Sequence, residues 1–171
     1  MDAAFLEIDL QRAAVPVCAP QACLPCRHCT IMHMADGTAI IYTDGGARGN
    51  PGPAGCGAVL KQDGRTLCEI GRYLGVTTNN VAEYSGLLAA LEKALELGVK
   101  EVEVRMDSEL VVRQMNGQYR VRNEGLIPLF RKAQQLASRF ASFRIVHVRR
   151  EMNVEADRLA NKAIDAQQDL G

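Results

Sequence analysis

No apolar run among the 171 residues approaches the ~20 consecutive residues that cross a bilayer as a helix, so a helical membrane protein is excluded. The opening Met1-Asp2-Ala3-Ala4-Phe5-Leu6-Glu7-Ile8-Asp9 is acidic where a secretory signal would be basic, and a reducing, cytoplasmic setting is the expectation. Internal repeats are missing, which argues against solenoids and propellers. Net charge is missing too, since 20 Lys and Arg balance 20 Asp and Glu. The balance is not uniform. Residues 1–104 hold 8 basic and 12 acidic side chains, and residues 105–171 hold 12 and 8. A basic C-terminal part in a neutral chain is compatible with a polyanionic partner.

What is present suits one globular domain with an appendage: the chain is 47% hydrophobic and 23% charged, enough apolar matter for a core. Residues 1–36 read as the appendage. Pro16, Pro20 and Pro25 interrupt any long helix or strand there. Cys18, Cys23, Cys26 and Cys29 are spaced C-x4-C-x2-C-x2-C, with His28 and His33 nearby. Thiolates and imidazoles at this density can hold a zinc ion. Zinc sites usually pair two ligand knuckles across a longer loop, however, and a poorly ordered tail with free thiols is the competing reading. A disulfide framework does not suit a reducing compartment.

Residues 37–168 read as an α/β domain. Thr38 to Thr43 is rich in strand formers and runs into Asp44-Gly45-Gly46. The stretch Gly45 to Gly55 carries turn residues throughout. Cys56 to Lys61 and Thr66 to Leu74 form a hairpin about Gln62-Asp63-Gly64-Arg65, with Cys56 and Cys68 as small buried hydrophobes. Thr77-Thr78-Asn79-Asn80 opens a helix whose Val81, Tyr84, Leu87, Leu88, Leu91 and Leu95 recur at helical spacing, and Gly98 ends it. Val102, Val104 and Met106 form a strand that stops at Asp107-Ser108. Glu109 to Met115 and Glu124 to Phe140 read as helices, Phe143 to Val148 as a fifth strand, and Asn153 to Ala166 as a last helix. Three antiparallel strands followed by alternating helix and strand predict a five-stranded mixed sheet flanked by helices on both faces.

In such a sheet the first and fourth strands can run side by side and parallel, which puts Asp44 and Asp107 on one rim. Glu83 and Asp157, early in two helices that start near that rim, complete a set of four carboxylates. Each acid alone has an ordinary explanation: a turn, an exposed helix residue, a helix cap, an ion pair with Arg158 or Lys162. Together they would repel one another unless cations joined them. Oxygen ligands with no His or Cys beside them suit magnesium or manganese, and a pair of such ions clamps a phosphodiester for hydrolysis.

Tyr42-Thr43-Asp44-Gly45-Gly46, with Gly49-Asn50-Pro51-Gly52-Pro53 and Gly57-Ala58, resembles the opening of type 1 ribonuclease H. Thr77 to Tyr84 resembles the second motif of that family, Asp107-Ser108 the third, and Asn153 to Asn161 the fourth, in the family's order, over about Thr38 to Ala166. The resemblance implies a ribonuclease H-like fold and cleavage of the RNA strand of RNA/DNA hybrids, leaving 5′-phosphate and 3′-hydroxyl ends. It implies that Asp44, Glu83, Asp107 and Asp157 bind the catalytic metal. It also implies that Asn50, Asn79 and Asn80 contact the hybrid near its minor groove, where 2′-hydroxyls distinguish RNA, and that Thr78 contacts a DNA phosphate. Asn79, Asn80 and Asn50-Pro51 also serve as cap and turn residues. Two features depart from the best-known bacterial members. The segment Val148 to Asn153 is short and has no histidine, leaving Arg150 either to assist catalysis or to make a simple phosphate contact. The basic handle helix is absent, as in the shorter, archaeal-like branch, some members of which also act on double-stranded RNA. A monomer is expected. The alternatives are a catalytically silent nucleic-acid-binding domain and another nuclease or strand-transfer protein of the superfamily. All four acids are intact, which speaks against the first.

Overall fold

The computed structural model describes residues 37–170. The boundary at residue 36 and the zinc reading at Cys18, Cys23, Cys26 and Cys29 lie outside the described residues.

Five strands form one sheet in the order β3-β2-β1-β4-β5. β1 (Ala39–Ala47), β2 (Gly52–Gln62) and β3 (Arg65–Thr77) form an antiparallel meander. The tight β2–β3 turn takes Asp63 and Gly64 to φ 51° and 75°, the left-handed pair that matches strand twist. β4 (Glu101–Met106) and β5 (Ser142–His147) add parallel strands beside β1. Four helices complete the domain: α1 (Asn79–Glu96), α2 (Glu109–Met115), α3 (Ile127–Ala137) and α4 (Val154–Ala166). The mixed sheet and its flanking helices are as the sequence predicts.

α1 and α4 lie on opposite faces of the sheet, and glycines on the central strands let both come close. A Cβ on Gly45 would sit 2.2 Å from the Ala82 carbonyl carbon of α1, and one on Gly57 would sit 2.2 Å from the Ala156 oxygen of α4. Side chains alternate along a strand, so neighbouring positions of this glycine-rich region serve opposite helices. On the α1 side the core gathers Ile41, Leu60, Leu87, Leu91, Val104 and Met106, all fully buried. Each such side chain contributes about 1.5–3 kcal/mol on leaving water. Tyr84 is also buried there, and its hydroxyl donates to Gln114 Oε1 at 2.7 Å, joining α1 to α2 through a satisfied polar pair. Cys56 is buried and Cys68 half-buried, and both are free thiols.

Three local expectations need correction. The segment Gly45 to Gly55 is not all loop: β1 and β2 stay paired out to Ala47 opposite Ala54, because helix packing on both faces requires glycine within the strands. α3 begins at Ile127 rather than Glu124. Asn123 makes a turn, accepting from the Gly125 N–H at 2.9 Å, and Pro128 fits only the first helical turn because it has no N–H to donate. The helix also ends at Ala137 rather than Phe140. At the C-terminus, Leu170 exchanges backbone hydrogen bonds with Gly71 and Asp169 Oδ1 accepts from the Tyr73 N–H, which ties the chain end to the β3 edge.

Candidate active site

The site lies where β1 and β4 part. Their parallel pairing ends at Tyr42 opposite Arg105. β1 runs on beside β2, so Asp44 sits within a strand, opposite Gly57, rather than at a strand end. β4 stops at Met106, and Asp107 follows on the same rim. Glu83 reaches in from α1. It is the fifth helical residue, in the second turn of α1, where the helix dipole stabilises a carboxylate less than it would in the first.

Asp44, Glu83 and Asp107 offer ligand oxygens that all lie within 4.8 Å of one another. Asp44 and Glu83 are buried, at 7% and 6% exposure. Burial, then the charges of Asp107 and Asp157, push the Asp44 carboxyl up to about 7. Burial, then Asp44 and Asp107, push Glu83 up to about 9. The Gly45 N–H pulls both the other way without offsetting the repulsion. Glu83 Oε2 is buried with no hydrogen-bond partner. A buried, unpartnered carboxylate oxygen beside two further carboxylates is what a hard divalent cation satisfies, so these residues fit such an ion.

Asp157 stands slightly apart from these three. Its carboxylate accepts from Arg150 at 2.6 Å and from Asn161 Nδ2 at 3.1 Å. It lines the same cleft of about 280 Å³ as the other three acids, together with Gly45, Gly46, Arg48, Asn79 and Arg150. Arg150 opens a single 3₁₀ turn, Arg150–Met152, and its side chain is 74% exposed. Asn50 Oδ1 accepts from the Asn79 N–H at 3.4 Å, which brings the two asparagines together at the cleft's edge. Thr78 is the N-cap residue of α1 but makes no capping bond with its side chain, and Asn80 is half-buried in the first helical turn.

Two residues of the site escape the sequence reading. Asn153, 1% exposed, donates from Nδ2 to the Thr43 carbonyl and to Asp107 Oδ1, each at 3.0 Å, while its own Oδ1 is unpartnered. It fixes the β1 backbone next to Asp44, the Asp107 carboxylate and the start of α4 through one amide. In sequence it looks like an ordinary helix start. Its spacing four residues before Asp157, which puts both on one face of α4, was the available signal. The other is Arg48, taken up below.

A mixed β3-β2-β1-β4-β5 sheet with acids converging where β1 and β4 diverge defines the ribonuclease H-like class of fold. Residues 42–163 match the family described as reverse transcriptase-like, and the chain belongs to that family. Its fold is that of type 1 ribonuclease H. It is 50% identical over 129 residues to a bifunctional protein of Mycobacterium tuberculosis, covering 74% of this chain and 35% of that one. It is 43% identical over 130 residues to ribonuclease HI of Halobacterium salinarum, covering 75% of this chain and 65% of that protein. LC11-RNase H1, solved in complex with an RNA/DNA hybrid, superposes with a TM-score of 0.73 at 51% identity, covering 76% of this chain and 99% of that one. The chain thus spans about a third of the length of the mycobacterial relative. Among the described residues no helix is long and apolar enough to cross a membrane.

Proposed function

We propose that this domain is a metal-dependent endoribonuclease that hydrolyses the RNA strand of RNA/DNA hybrids, leaving 5′-phosphate and 3′-hydroxyl ends, and that it works in the cytoplasm. The observation that carries the reading is the meeting of Asp44, Glu83 and Asp107 within 4.8 Å, in a cleft that Asp157 also lines. Family membership and the hybrid complex of LC11-RNase H1 support the choice of substrate.

Asp44, Glu83, Asp107 and Asp157 hold the metal. Bound there, a pair of divalent ions, magnesium or manganese, supplies the activation of water and the stabilisation of the leaving oxygen that phosphodiester hydrolysis needs. Asn153 holds the Asp107 carboxylate in place with a neutral donor, which steadies the ligand without competing for its charge. Asn50, Asn79 and Asn80 face the minor groove and read 2′-hydroxyls, and Thr78 meets a DNA phosphate. Arg150, released from Asp157, steadies charge developing on the scissile phosphate.

Matched RNA/DNA, RNA/RNA and DNA/DNA duplexes, incubated with and without magnesium, test the reading. Cleavage confined to the RNA strand of the hybrid, with slower cutting of RNA/RNA at most, is expected, and only with metal. Asp107→Asn should reduce the rate to background with the fold intact, because the amide keeps the size but not the charge. An Asp107→Asn protein that cuts at the wild-type rate, or a wild type that cuts no hybrid, overturns it.

A further inference from the structure

Gly46 has no explanation inside the chain. Its backbone does not adopt the left-handed conformation that favours glycine. A Cβ built on it would meet no atom within 4 Å, whereas Cβ atoms on Gly45 and Gly57 would collide with helix backbone. Gly46 therefore serves neither turn geometry nor packing. It lines the cleft, on the same sheet face as Asp44, so the open space above it adjoins the carboxylates. Bare backbone at such a place is suited to a ligand that lies across the strand.

Arg48 lies beyond Gly46 along the same wall. Arg48 and Arg150 are the two cations lining the cleft among the described residues. Each is latched to an acid of α4, Arg150 to Asp157 near its start and Arg48 to Asp165 in its last turn. Eight residues of helix put those two acids about 12 Å apart. The Arg48 backbone is fixed, since its N–H donates to the Pro53 carbonyl at 2.8 Å and Gly52 packs against its carbonyl oxygen. Only the side chain is free to move. Its latch is weak: both partners are more than half exposed, and a carboxylate in the last turn of a helix faces the negative end of the helix dipole.

We propose that the groove floored by Gly46 carries the sugar–phosphate backbone of one substrate strand past the carboxylates, and that Arg48 leaves Asp165 to hold a phosphate of that strand. This rests on the nuclease reading above. The competing account makes Arg48 a strut that merely pins the loop to α4. A phosphate anchor and a strut respond oppositely when Asp165 is changed.

The experiment measures binding of a fixed RNA/DNA hybrid in metal-free buffer across a salt series, for the wild type, Arg48→Ala, Asp165→Asn and Gly46→Val. Thermal melts verify that each variant is folded. Arg48→Ala should weaken binding about tenfold and flatten the slope of log affinity against log salt by close to one phosphate contact, roughly 0.7–0.9. Asp165→Asn should bind at least as tightly as the wild type, because it frees the cation and removes an anion. Gly46→Val should weaken binding while melting no lower than the wild type, since valine suits a strand and its Cβ meets no atom within 4 Å. Equal losses for Arg48→Ala and Asp165→Asn, with unchanged slopes, make Arg48 a strut and overturn the proposal, as does wild-type affinity in Gly46→Val. A wild type that neither binds nor cuts hybrid sinks the nuclease reading itself, an outcome separate from these.

Discussion

Asn153 is a buried amide that keeps one oxygen without a partner, which an apolar residue of the same shape would avoid. Its value lies in the donor it presents to Asp107 and to the carbonyl before Asp44. Asn153→Leu keeps the size but removes that donor, leaving the Asp107 carboxylate and the Thr43 carbonyl without it. Manganese affinity measured by calorimetry, and the cleavage rate with it, should fall about 10- to 100-fold. Unchanged affinity in the folded variant would show that Asn153 only packs. The acids themselves predict an unusual pH response. Asp44 is pushed up to about 7 and Glu83 to about 9, while in the unfolded chain both titrate near their ordinary values of about 4. Between those limits the metal-free folded state binds more protons than the unfolded one, so stability falls as pH rises. The contribution of these two groups is fully present below about pH 4 and is lost as pH climbs through 7 and then 9. The melting temperature of the metal-free protein should therefore drop from about pH 5 to pH 9. Added magnesium should restore it most at the alkaline end, where the cation meets ionised carboxylates. A melting temperature that rises over this range without metal would show that the acids do not repel one another as their spacing requires.

Among the elements, β1 and β2 do most to position the site, and they were only half legible. Their apolar portions follow strand propensity, and the strand that leads to Asp107 and the long helix carrying Glu83 follow periodicity as directly. The glycines between Asp44 and Gly57 read as loop because propensity scores glycine without its neighbours. What makes this segment strand is the approach of α1 from one side and α4 from the other, a tertiary fact with no local signature. Asn153 and Arg48 were illegible for a related reason: their partners lie 46 to 117 positions away in the chain. The four acids were legible because each sits in or beside an element with a clear pattern: Asp44 just after the apolar run of β1, Glu83 and Asp157 early in α1 and α4, and Asp107 just past β4. The packing argument gives a sharp expectation for Gly57. Its Cβ would fall 2.2 Å from the Ala156 oxygen and 2.7 Å from the Ala160 nitrogen, both backbone atoms that cannot swing away. Gly57→Ala should push α4 off the sheet, costing about 1–3 kcal/mol of stability in chemical denaturation. Because α4 carries Asp157 and begins at Asn153, cleavage should fall beyond what the unfolded fraction explains. Gly64→Ala, in a turn where the added methyl meets nothing, strains only its own backbone at φ 75° and should leave the site's activity per folded molecule unchanged.

At the scale of the whole molecule the charges are divided between cleft and surface. Residues 37–170 hold 18 Lys and Arg against 16 Asp and Glu, and setting aside the four carboxylates and two arginines that line the cleft leaves 16 against 12, an excess of four positive charges elsewhere. The surface thus attracts a polyanion that the cleft, without metal, repels. Divalent ions in the cleft would remove that repulsion, so metal and hybrid should bind cooperatively. Linkage then requires hybrid to tighten metal binding by the same factor by which metal tightens hybrid binding. Two quantities check this. One is the dissociation constant of magnesium for the free protein, by calorimetry. The other is the magnesium concentration that gives half-maximal single-turnover cleavage at saturating protein, where product release does not enter. The second should lie below the first by about 5- to 150-fold, the usual span of such couplings. Raising salt should narrow the gap, because screening weakens the repulsion that metal relieves. Two equal values at low salt would mean that the hybrid's phosphates do not approach the carboxylates closely, and the cleft lined by Asp44, Glu83, Asp107 and Asp157 would not be where the strand is cut.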